Sequence, residues 1–272
     1  MTKIASEFTE HDHLTDPGKF AEFLDELPDD IAALQECIHG LLVHGDYQEL
    51  YGIPAIRWSR ETLPAEKRLE WIMSRCGFPL TKSRPIYWRA IGTCRDLALM
   101  TCCFFRHKKI PARIRCGFAA YLVPGKYEDH WVCEYRHPDK DDWVIADSQL
   151  DSAQCRHLDI EFDTACLPDG AFVNARQAWD MCSRQGIDPA LFGHGEHRGE
   201  WFIWVNMARD CWALNNHATS SWDSWRDVAD GHKTLGEADR DECDKIFSFI
   251  KRSESSTFNS MHEMPGLPFW QR

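Results

Sequence analysis

The sequence predicts an α+β fold, and three observations lead to that expectation. Over residues 17–43, apolar side chains recur three and four positions apart, which is the spacing of a helix with one buried face. Residues 112–148 contain three short runs of strand character, and residues 171–252 return to helical spacing. Because no repeat or linker divides the chain, we expect one domain over residues 1–252 and a loosely ordered tail over residues 253–272.

The N-terminal flank, residues 17–77, is predicted to be helical. Its first helical run is broken at residues 27–30, because Pro28 restricts the residue before it and two acidic residues favour a new helix start. A further helix is expected over Thr62–Met73, since glycine and proline follow it closely.

The middle of the chain is predicted to hold a buried helix followed by strands. Apolar side chains cover most of the circumference of Cys94–Phe105, and Pro111 prevents the helix from continuing. Three strands are then expected: Ala112–Val123, His130–Arg136 and Asp142–Ser148. Residues 137–140 are expected to close a hairpin between the last two strands.

The C-terminal flank, residues 171–252, is predicted to be helical again. The expected helices are Ala171–Ser183, Phe202–Asn215 and Leu235–Arg252. The glycine-rich residues 192–199 are expected to form a loop. Tryptophans crowd the segment 201–225, at Trp201, Trp204, Trp212, Trp222 and Trp225. Clustered tryptophan is more typical of core packing than of a ligand cage, so we expect these side chains to pack helices together.

Composition narrows the class of partner. The chain has 43 acidic residues against 31 Lys and Arg, a formal charge of −12. That charge argues against nucleic acid or an anionic membrane as the main partner, since both need a basic face. No apolar run approaches the roughly 18–20 residues of a membrane span, and residues 1–14 lack the pattern of a secretory signal. We therefore expect a cytoplasmic location, with the oligomeric state left open.

The twelve cysteines are spread along the chain without a CxxC pair or zinc-finger spacing. In the absence of a secretory signal they are expected to be reduced and mostly buried. His194, Glu196 and His197 carry metal-ligating groups, but a flexible glycine-rich loop that offers no fourth ligand favours a solvated segment. We therefore expect no metal and no cofactor.

One cysteine has a sequence context that favours nucleophilic chemistry. Cys94 follows Gly92 and Thr93 at the predicted start of the buried helix. The positive end of the helix dipole stabilises a thiolate there, and the unpaired backbone N–H groups can receive an oxyanion that develops on an attacked carbonyl. Gly92 would let a substrate carbonyl approach the backbone closely.

A histidine and an aspartate on the predicted hairpin supply the matching base and its orienting group. If residues 137–140 close the hairpin, Arg136 pairs with Asp141 and His130 faces Asp147 on the same side of the sheet. A change of register by two residues keeps His130 and Asp147 on one side, whereas a slip by one separates them. A carboxylate that fixes one imidazole nitrogen while the other faces a thiol is half of a nucleophilic triad.

These motifs, taken in order, resemble the transglutaminase-like core of the papain-like Cys–His–Asp superfamily. The motifs are Gly92-Thr93-Cys94-Arg95-Asp96, Ile110-Pro111-Ala112-Arg113, Cys116-Gly117-Phe118, Asp129-His130-Trp131, and Trp143 with Asp147. The resemblance is strongest over residues 85–151, and a looser similarity to bacterial transglutaminase-domain proteins runs from Leu27 to the helix after Trp201. It implies a catalytic helix packed on an antiparallel sheet, with helical extensions on both sides.

The resemblance implies that Cys94 is the nucleophile, His130 the general base and then acid, and Asp147 its orienting group. The reaction would be acyl transfer from a carboxamide or peptide-like bond through a thioester, with a small-molecule or peptide substrate. Two alternatives stay open: an amide- or ring-forming enzyme that acts on a small metabolite, and a catalytically inactive transglutaminase-like binding module. Candidates for substrate or oxyanion contacts are Trp88, Gly92, Thr93, Trp131 and Gln149.

Other charged residues near these motifs have simpler expected roles. Asp96 is expected to cap the first turn of the buried helix. Glu134 is expected to pair with an arginine. Arg113 and Arg115 share one side of a strand, which fits either a salt bridge or contact with an anionic substrate.

Overall fold

The structure, a computed structural model, describes residues 8–140, 142–215 and 235–254. The described chain divides into two compact units. The first unit comprises residues 8–114 and 132–167, and the second comprises residues 115–131 together with the described residues from 168 onward. The expectation of a single domain stays a prediction. Within the described ranges, no helix has both the length and the apolar character required to cross a membrane.

Five α-helices are described in the first unit: α1 (Ala21–Leu24), α2 (Ile31–His39), α3 (Ala65–Arg75), α4 (Cys94–His107) and α5 (Ser152–Leu158). The predicted break at residues 27–30 is confirmed, because the Asp30 side chain accepts the Ala33 N–H and caps α2. Helix α3 begins three residues later than predicted, directly after Pro64, whose ring favours a helix start. The short α5 was not predicted.

A two-stranded parallel pair in the first unit leads into α4. Strand β1 (Leu42–His44) pairs with β2 (Ala90–Gly92), so that His44 stands beside Gly92. Strands of three residues are too short to show alternation in the sequence, and neither was predicted. Only Thr93 separates the end of β2 from the first residue of α4.

The predicted hairpin is present, but its register differs from the prediction by two residues. Strand β4 (Tyr127–Arg136) pairs antiparallel with β5 (Trp143–Ala146), and Arg136 stands opposite Trp143. The predicted partner, Asp141, is wrong and lies outside the described residues. The His137 N–H bonds to the Asp142 carbonyl, so the pairing continues beyond Arg136 and Trp143 and the turn begins one residue later than predicted.

The prediction that His130 stands directly opposite Asp147 is also wrong in this register. Because Cys133 stands opposite Ala146, Asp147 lies one residue beyond the end of β5 and, by count, opposite Val132. A shift of two residues leaves each side chain on the side of the sheet that the sequence assigned to it.

Helix α4 packs on this hairpin in the first unit. The Cys102 and Cys133 sulfur atoms are 3.3 Å apart, and the Phe105 and Tyr135 rings meet edge to face at 5.0 Å. The helix is buried on nearly every side, which explains why apolar residues cover most of its circumference in the sequence. Helices packed on antiparallel strands make the predicted α+β class correct.

Strands β3 (Ala112–Ala119) and β4 each belong partly to both units. In the second unit the strand order is β6-β3-β4-β7-β8, where β6 is Phe172–Asn174, β7 is Phe192–His194 and β8 is His197–Arg198. Strand β6 is antiparallel to β3, while β7 runs parallel to β4 and forms a hairpin with β8.

The glycine-rich residues 192–199 are therefore a β-hairpin, and the predicted loop is wrong. Gly195 has φ +54° in the turn, a backbone conformation that favours glycine. At Gly193 a Cβ would lie 2.1 Å from the His197 carbonyl oxygen, so only glycine permits the two strands to approach. The glycines that read as loop signals are required by a very tight hairpin.

Three helices are described in the second unit: α6 (Ala175–Gln185), α7 (Glu200–Ala213) and α8 (Glu237–Glu254). Helix α6 starts four residues later than predicted, because residues 172–174 form β6 and Asn174 then caps the helix. Trp201 and Trp204 are buried in the core among these helices, as expected. Trp222 and Trp225 lie outside the described residues, as do residues 255–272 of the predicted tail.

Candidate active site

Cys94 is the first residue of α4, and a capping box precedes it. The Asp96 side chain accepts the Thr93 N–H at 2.8 Å, and the Thr93 hydroxyl accepts the Asp96 N–H at 3.4 Å. The expected capping role of Asp96 is confirmed. The Thr93 N–H is thus already engaged, whereas the Cys94 N–H has no acceptor among the described residues.

Asp96 is also one half of a buried ion pair that ties three elements to this helix start. Arg68 on α3 donates to Asp96 Oδ1 at 2.6 Å and to the Ile91 carbonyl of β2 at 3.1 Å. A Cβ on Gly92 would lie 2.9 Å from the Asp96 Cβ, so glycine at this position leaves room for the carboxylate. Sequence reasoning missed Arg68, which lies 28 residues before its partner.

Cys94 differs from most of the other cysteines in its exposure. It is half-buried, as are Cys155, Cys166 and Cys182, while the other eight are buried: Cys37, Cys76, Cys102, Cys103, Cys116, Cys133, Cys211 and Cys243. The expectation that the thiols are mostly buried is confirmed. Burial raises the pKa of the Cys103, Cys133 and Cys211 thiols, and it also raises the pKa of Cys155, which is only half-buried.

Asp147 lies in a buried turn directly after β5. Its backbone N–H bonds to the Thr164 carbonyl at 2.8 Å, and its carbonyl accepts from the Gln35 side chain at 2.9 Å. The carboxylate accepts the Gln149 N–H at 2.9 Å, which fixes the side chain within its own turn. These bonds leave Asp147 with little freedom to move, as an orienting group requires.

The same turn is fastened to the helix that carries Cys94. The Ser148 and Thr101 hydroxyl oxygens are 2.8 Å apart, and both are buried. Thr101 follows Cys94 by seven residues, which is close to two helical turns, so both lie on one face of α4. The Asp147 turn therefore rests against the face of the helix that begins with Cys94.

Gln149 carries a buried polar atom that lacks a hydrogen bond. Its Nε2 donates to Gln154 at 3.3 Å, but its Oε1 has no partner among the described residues. Gln154 in turn donates to the Tyr51 hydroxyl at 3.2 Å, and burial raises the pKa of Tyr51. An unsatisfied amide oxygen is costly in a buried position, which is consistent with a polar contact supplied from outside the chain.

His130 lies on β4 in the second unit and is buried. The Tyr121 ring meets its imidazole edge to face, with the ring centres 6.1 Å apart. Since Cys94 and Asp147 belong to the first unit, the convergence of the three side chains stays a prediction.

A buried polar network holds the residue before His130. Asp129 accepts from the Asn206 side-chain Nδ2 at 2.7 Å, and the Asn206 side-chain Oδ1 accepts from Arg209 at 3.0 Å. Burial raises the pKa of Asp129 even though Arg209 opposes the shift. This network was not predicted, because Asn206 and Arg209 occur inside an otherwise apolar helix.

The remaining substrate-contact candidates occupy different surroundings. Trp88 ends a short 3₁₀ turn and is 46% exposed, whereas Trp131 on β4 is fully buried. Neither position tests the role that the sequence suggested.

Two arginines that fitted either a salt bridge or an anionic substrate form buried ion pairs. Arg113 pairs with Glu134 at 2.5 Å, which confirms the expected partner for Glu134. Arg115 makes two hydrogen bonds to Asp210, at 2.8 and 2.9 Å, and both side chains are fully buried. Of the two alternatives, both arginines therefore take the salt bridge within the fold.

His194, Glu196 and His197, which carry metal-ligating groups, form no such cluster in the described part of the chain. His194 contacts Glu128 at 2.8 Å, and Arg198 pairs with the same carboxylate. Although burial acts in the opposite direction, these two hydrogen bonds lower the pKa of Glu128. The segment is thus held by an ion-pair network.

Comparison with known proteins adds one partial likeness. No family model and no curated protein matches the chain. A solved structure from Cytophaga hutchinsonii, named a “putative cysteine protease”, is similar over 64% of this chain, with 16% identity and a TM-score of 0.40. The match covers 46% of that chain, so the present chain spans less than half of its length. At this degree of similarity, neither an activity nor a substrate follows from the likeness.

Proposed function

We propose that the chain is a cysteine-dependent acyl-transfer enzyme of the transglutaminase-like type, with Cys94 as its nucleophile. The observation that carries the proposal is the position of Cys94 at the first residue of a buried helix, half-buried rather than enclosed. Its own backbone N–H has no acceptor among the described residues, so a hydrogen-bond donor is available beside the thiol. Helix N-termini stabilise both a thiolate and a developing oxyanion.

In the proposed reaction the Cys94 sulfur attacks the carbonyl carbon of a carboxamide or peptide-like bond, and His130 takes the thiol proton. The carbonyl electron pair moves to oxygen, and the Cys94 backbone N–H donates a hydrogen bond to the resulting oxyanion. The C–N bond then breaks, His130 gives its proton to the leaving amine, and a thioester remains on Cys94. Water or a second amine attacks the thioester carbonyl carbon and loses a proton to His130. The C–S bond then breaks, the acid or amide product leaves, and His130 returns the proton to the Cys94 sulfur.

Asp147 is the proposed orienting group for His130. Its anchoring by Gln35, Thr164 and Gln149 supports this role, because an orienting carboxylate must itself be fixed. The turn is also bonded to α4 through Ser148. The observed register keeps the parity of β4 and β5 that the pairing of His130 with Asp147 requires.

The nature of the second nucleophile separates the related reactions. Water gives an amidase or peptidase, a free amine gives a transglutaminase, and an amine within the substrate gives a ring- or amide-forming enzyme. For the alternative of an inactive binding module, two tryptophans of the C-terminal cluster belong to the core: Trp201 and Trp204 are 3% and 1% exposed.

The decisive experiment follows the capture of each thiol by iodoacetamide at pH 7, read by peptide mass spectrometry. Cys94 is expected to be alkylated faster than the other thiols, and its rate should fall in His130→Gln and Asp147→Asn, because the proposed base then no longer takes the thiol proton. Cys155 is the internal control, since it is also half-buried and starts no helix. A Cys94 rate that is equal in all three proteins contradicts the proposal.

A second measurement detects the thioester directly. Incubation with p-nitrophenyl acetate is expected to leave one acetyl group on the wild-type chain, located on Cys94 by peptide mapping. In Cys94→Ser no rapidly formed adduct should appear at this position, while Cys155→Ser should behave as the wild type. Equal labelling of both variants would remove Cys94 from its proposed role.

A further inference from the structure

A cavity of about 400 Å³ opens in the first unit beside β2. We call it the aromatic pocket, because its walls include the rings of Trp58, Trp71 and Tyr87 together with Ile53, Ile56 and Ile86. Its volume lies in the range of sites that hold a small molecule, which is about 300–1,000 Å³. The proposed mechanism uses no residue of these walls.

The shape of the pocket depends on a glycine. A Cβ built on Gly45 would lie 2.0 Å from the Trp58 ring, so the indole packs closely against the backbone at this position. Ile56 and Tyr87 are 52% and 60% exposed, which is unusual for large side chains with apolar surface. Exposed apolar groups gathered around a cavity are typical of a ligand site.

The charge of the pocket contrasts with that of the chain. Four arginines line it against the single carboxylate of Glu61, although the whole chain carries −12. Two of these arginines, Arg57 and Arg75, are exposed and have no carboxylate partner among the described residues. The Arg75 guanidinium stacks on the Trp71 ring at 4.3 Å, which keeps an unpaired cation at the wall.

The pocket adjoins the helix start that carries Cys94. Arg68 and Ile91 line it, and Arg68 is bonded to Asp96 in the first turn of α4. Ile91 precedes Cys94 by three residues, so their Cα atoms are at most about 11 Å apart. The Ile91 wall of the pocket and the backbone of Cys94 are therefore near neighbours within the first unit.

We infer that the aromatic pocket binds the acyl-donor portion of the substrate, and that this portion is a flat aromatic group with an anionic substituent. The rings supply stacking surfaces, and Arg57 and Arg75 supply charge-assisted hydrogen bonds to a carboxylate or sulfonate. Binding of such a ligand is independent of catalysis, whereas its role as acyl donor rests on the proposed function of Cys94.

The first test measures binding without the thiol. The full chain carrying Cys94→Ala is titrated calorimetrically with 2-naphthoate and with its neutral counterpart, 2-naphthamide. Loss of one charge-assisted hydrogen bond weakens binding roughly tenfold or more. Naphthoate is therefore expected to bind about tenfold more tightly than the amide, and Arg57→Gln and Arg75→Gln should each remove most of that preference.

The control is Arg156→Gln, which removes an exposed arginine of α5 that does not line the pocket. It should leave both affinities unchanged. Equal affinity for naphthoate and naphthamide, no binding of either, or an equal loss in Arg156→Gln would overturn the inference.

The second test links the pocket to Cys94. A naphthalenesulfonate that carries an iodoacetamide arm is compared with iodoacetamide itself on the wild-type chain. The aromatic reagent is expected to alkylate Cys94 about tenfold faster than iodoacetamide does, and Arg57→Gln should abolish that ratio, whereas Arg156→Gln should leave it unchanged. If naphthoate binds but the aromatic reagent gains no rate at Cys94, the pocket is not the acyl-donor site, and the comparison of Cys94 rates in His130→Gln and Asp147→Asn still tests the proposed function separately.

Discussion

Arg68 and Asp96 form a buried ion pair, 2.6 Å between Nη2 and Oδ1, beneath the helix turn that begins with Cys94. The carboxylate also completes the capping box with Thr93, and the arginine also bonds to the end of β2. One pair of side chains therefore fixes the direction in which the helix starts. Positioning of the candidate nucleophile depends on an arginine from a helix that precedes it by about 20 residues.

Replacement of Asp96 by alanine is expected to lower the free energy of unfolding by about 3–5 kcal/mol. The substitution leaves the buried Arg68 cation without its partner and removes the helix cap at the same time. Asp96→Asn should cost less, because an amide oxygen still accepts the Thr93 N–H. Urea unfolding followed by circular dichroism measures both changes.

Glu70→Gln provides the comparison, since Glu70 pairs with Lys19 and Lys67 at the surface and should contribute little. An Asp96→Ala chain as stable as Glu70→Gln would show that the buried pair does not hold the helix start.

The capping role of Asp96 was predictable from the sequence, whereas its ion-pair partner Arg68 was not. A capping residue lies a few positions from the backbone group that it serves, so local spacing reveals it. Arg68 and the Asn206 that bonds to Asp129 approach their partners only after distant segments fold together. Alternation and helical spacing carry no information about such pairs.

The helix and hairpin of residues 94–146 show the same difference between features that local spacing reveals and features that depend on other contacts. Helix α4 was predicted from its first residue, because its apolar surface and the following proline mark it clearly. The hairpin register was wrong by two, since the pairing of His137 with Asp142 depends on turn geometry that hydrophobic patterning does not encode. Strands of two or three residues, such as β1 and β8, lie below the length at which alternation is visible.

Alkylation of the native chain is expected to separate the thiols by burial. Burial raises the pKa of Cys182 to about 12, so at pH 8 only about one molecule in ten thousand carries the thiolate that reacts. Its rate should therefore rise about tenfold for each pH unit up to that value. Cys103 and Cys211 have raised pKa values and no access to solvent, so they should stay unlabelled until the chain unfolds.

Mass spectrometric mapping after brief treatment with iodoacetamide at pH 8 measures this order, and addition of 6 M guanidinium chloride is the control that exposes every thiol. Rapid labelling of Cys103 in the native chain would contradict the buried packing of α4.

Asp129 is expected to make stability fall as the pH rises from about 4. Burial raises its pKa in the folded chain, so between the ordinary value and the raised value the folded state binds more protons than the unfolded state. The stabilising contribution is complete below the unfolded pKa and is lost as the pH passes through the folded pKa. The loss amounts to roughly 1.4 kcal/mol for each pH unit between the two values.

Asp129→Asn keeps an acceptor for Asn206 but cannot ionise, so the difference in unfolding free energy between wild type and variant should shift in favour of the variant over that pH range. Asp169→Asn, at an exposed carboxylate of the same unit, should show no such trend. A difference that stays constant from pH 4 to 8 would rule out a raised pKa at Asp129.

Gly45→Ala is expected to disrupt the aromatic pocket, because the new side chain displaces the Trp58 ring from its wall. The added methyl group would meet the indole at 2.0 Å, so the ring must leave its present position. Overpacking of this kind costs about 1–3 kcal/mol of stability, and loss of the Trp58 wall should weaken 2-naphthoate binding about tenfold or more. Gly77→Ala is the matched control, because nothing lies within 4 Å of a Cβ at that position. Calorimetric titration of both variants decides the matter: equal affinities would mean that contact with Gly45 does not hold Trp58 in the pocket wall.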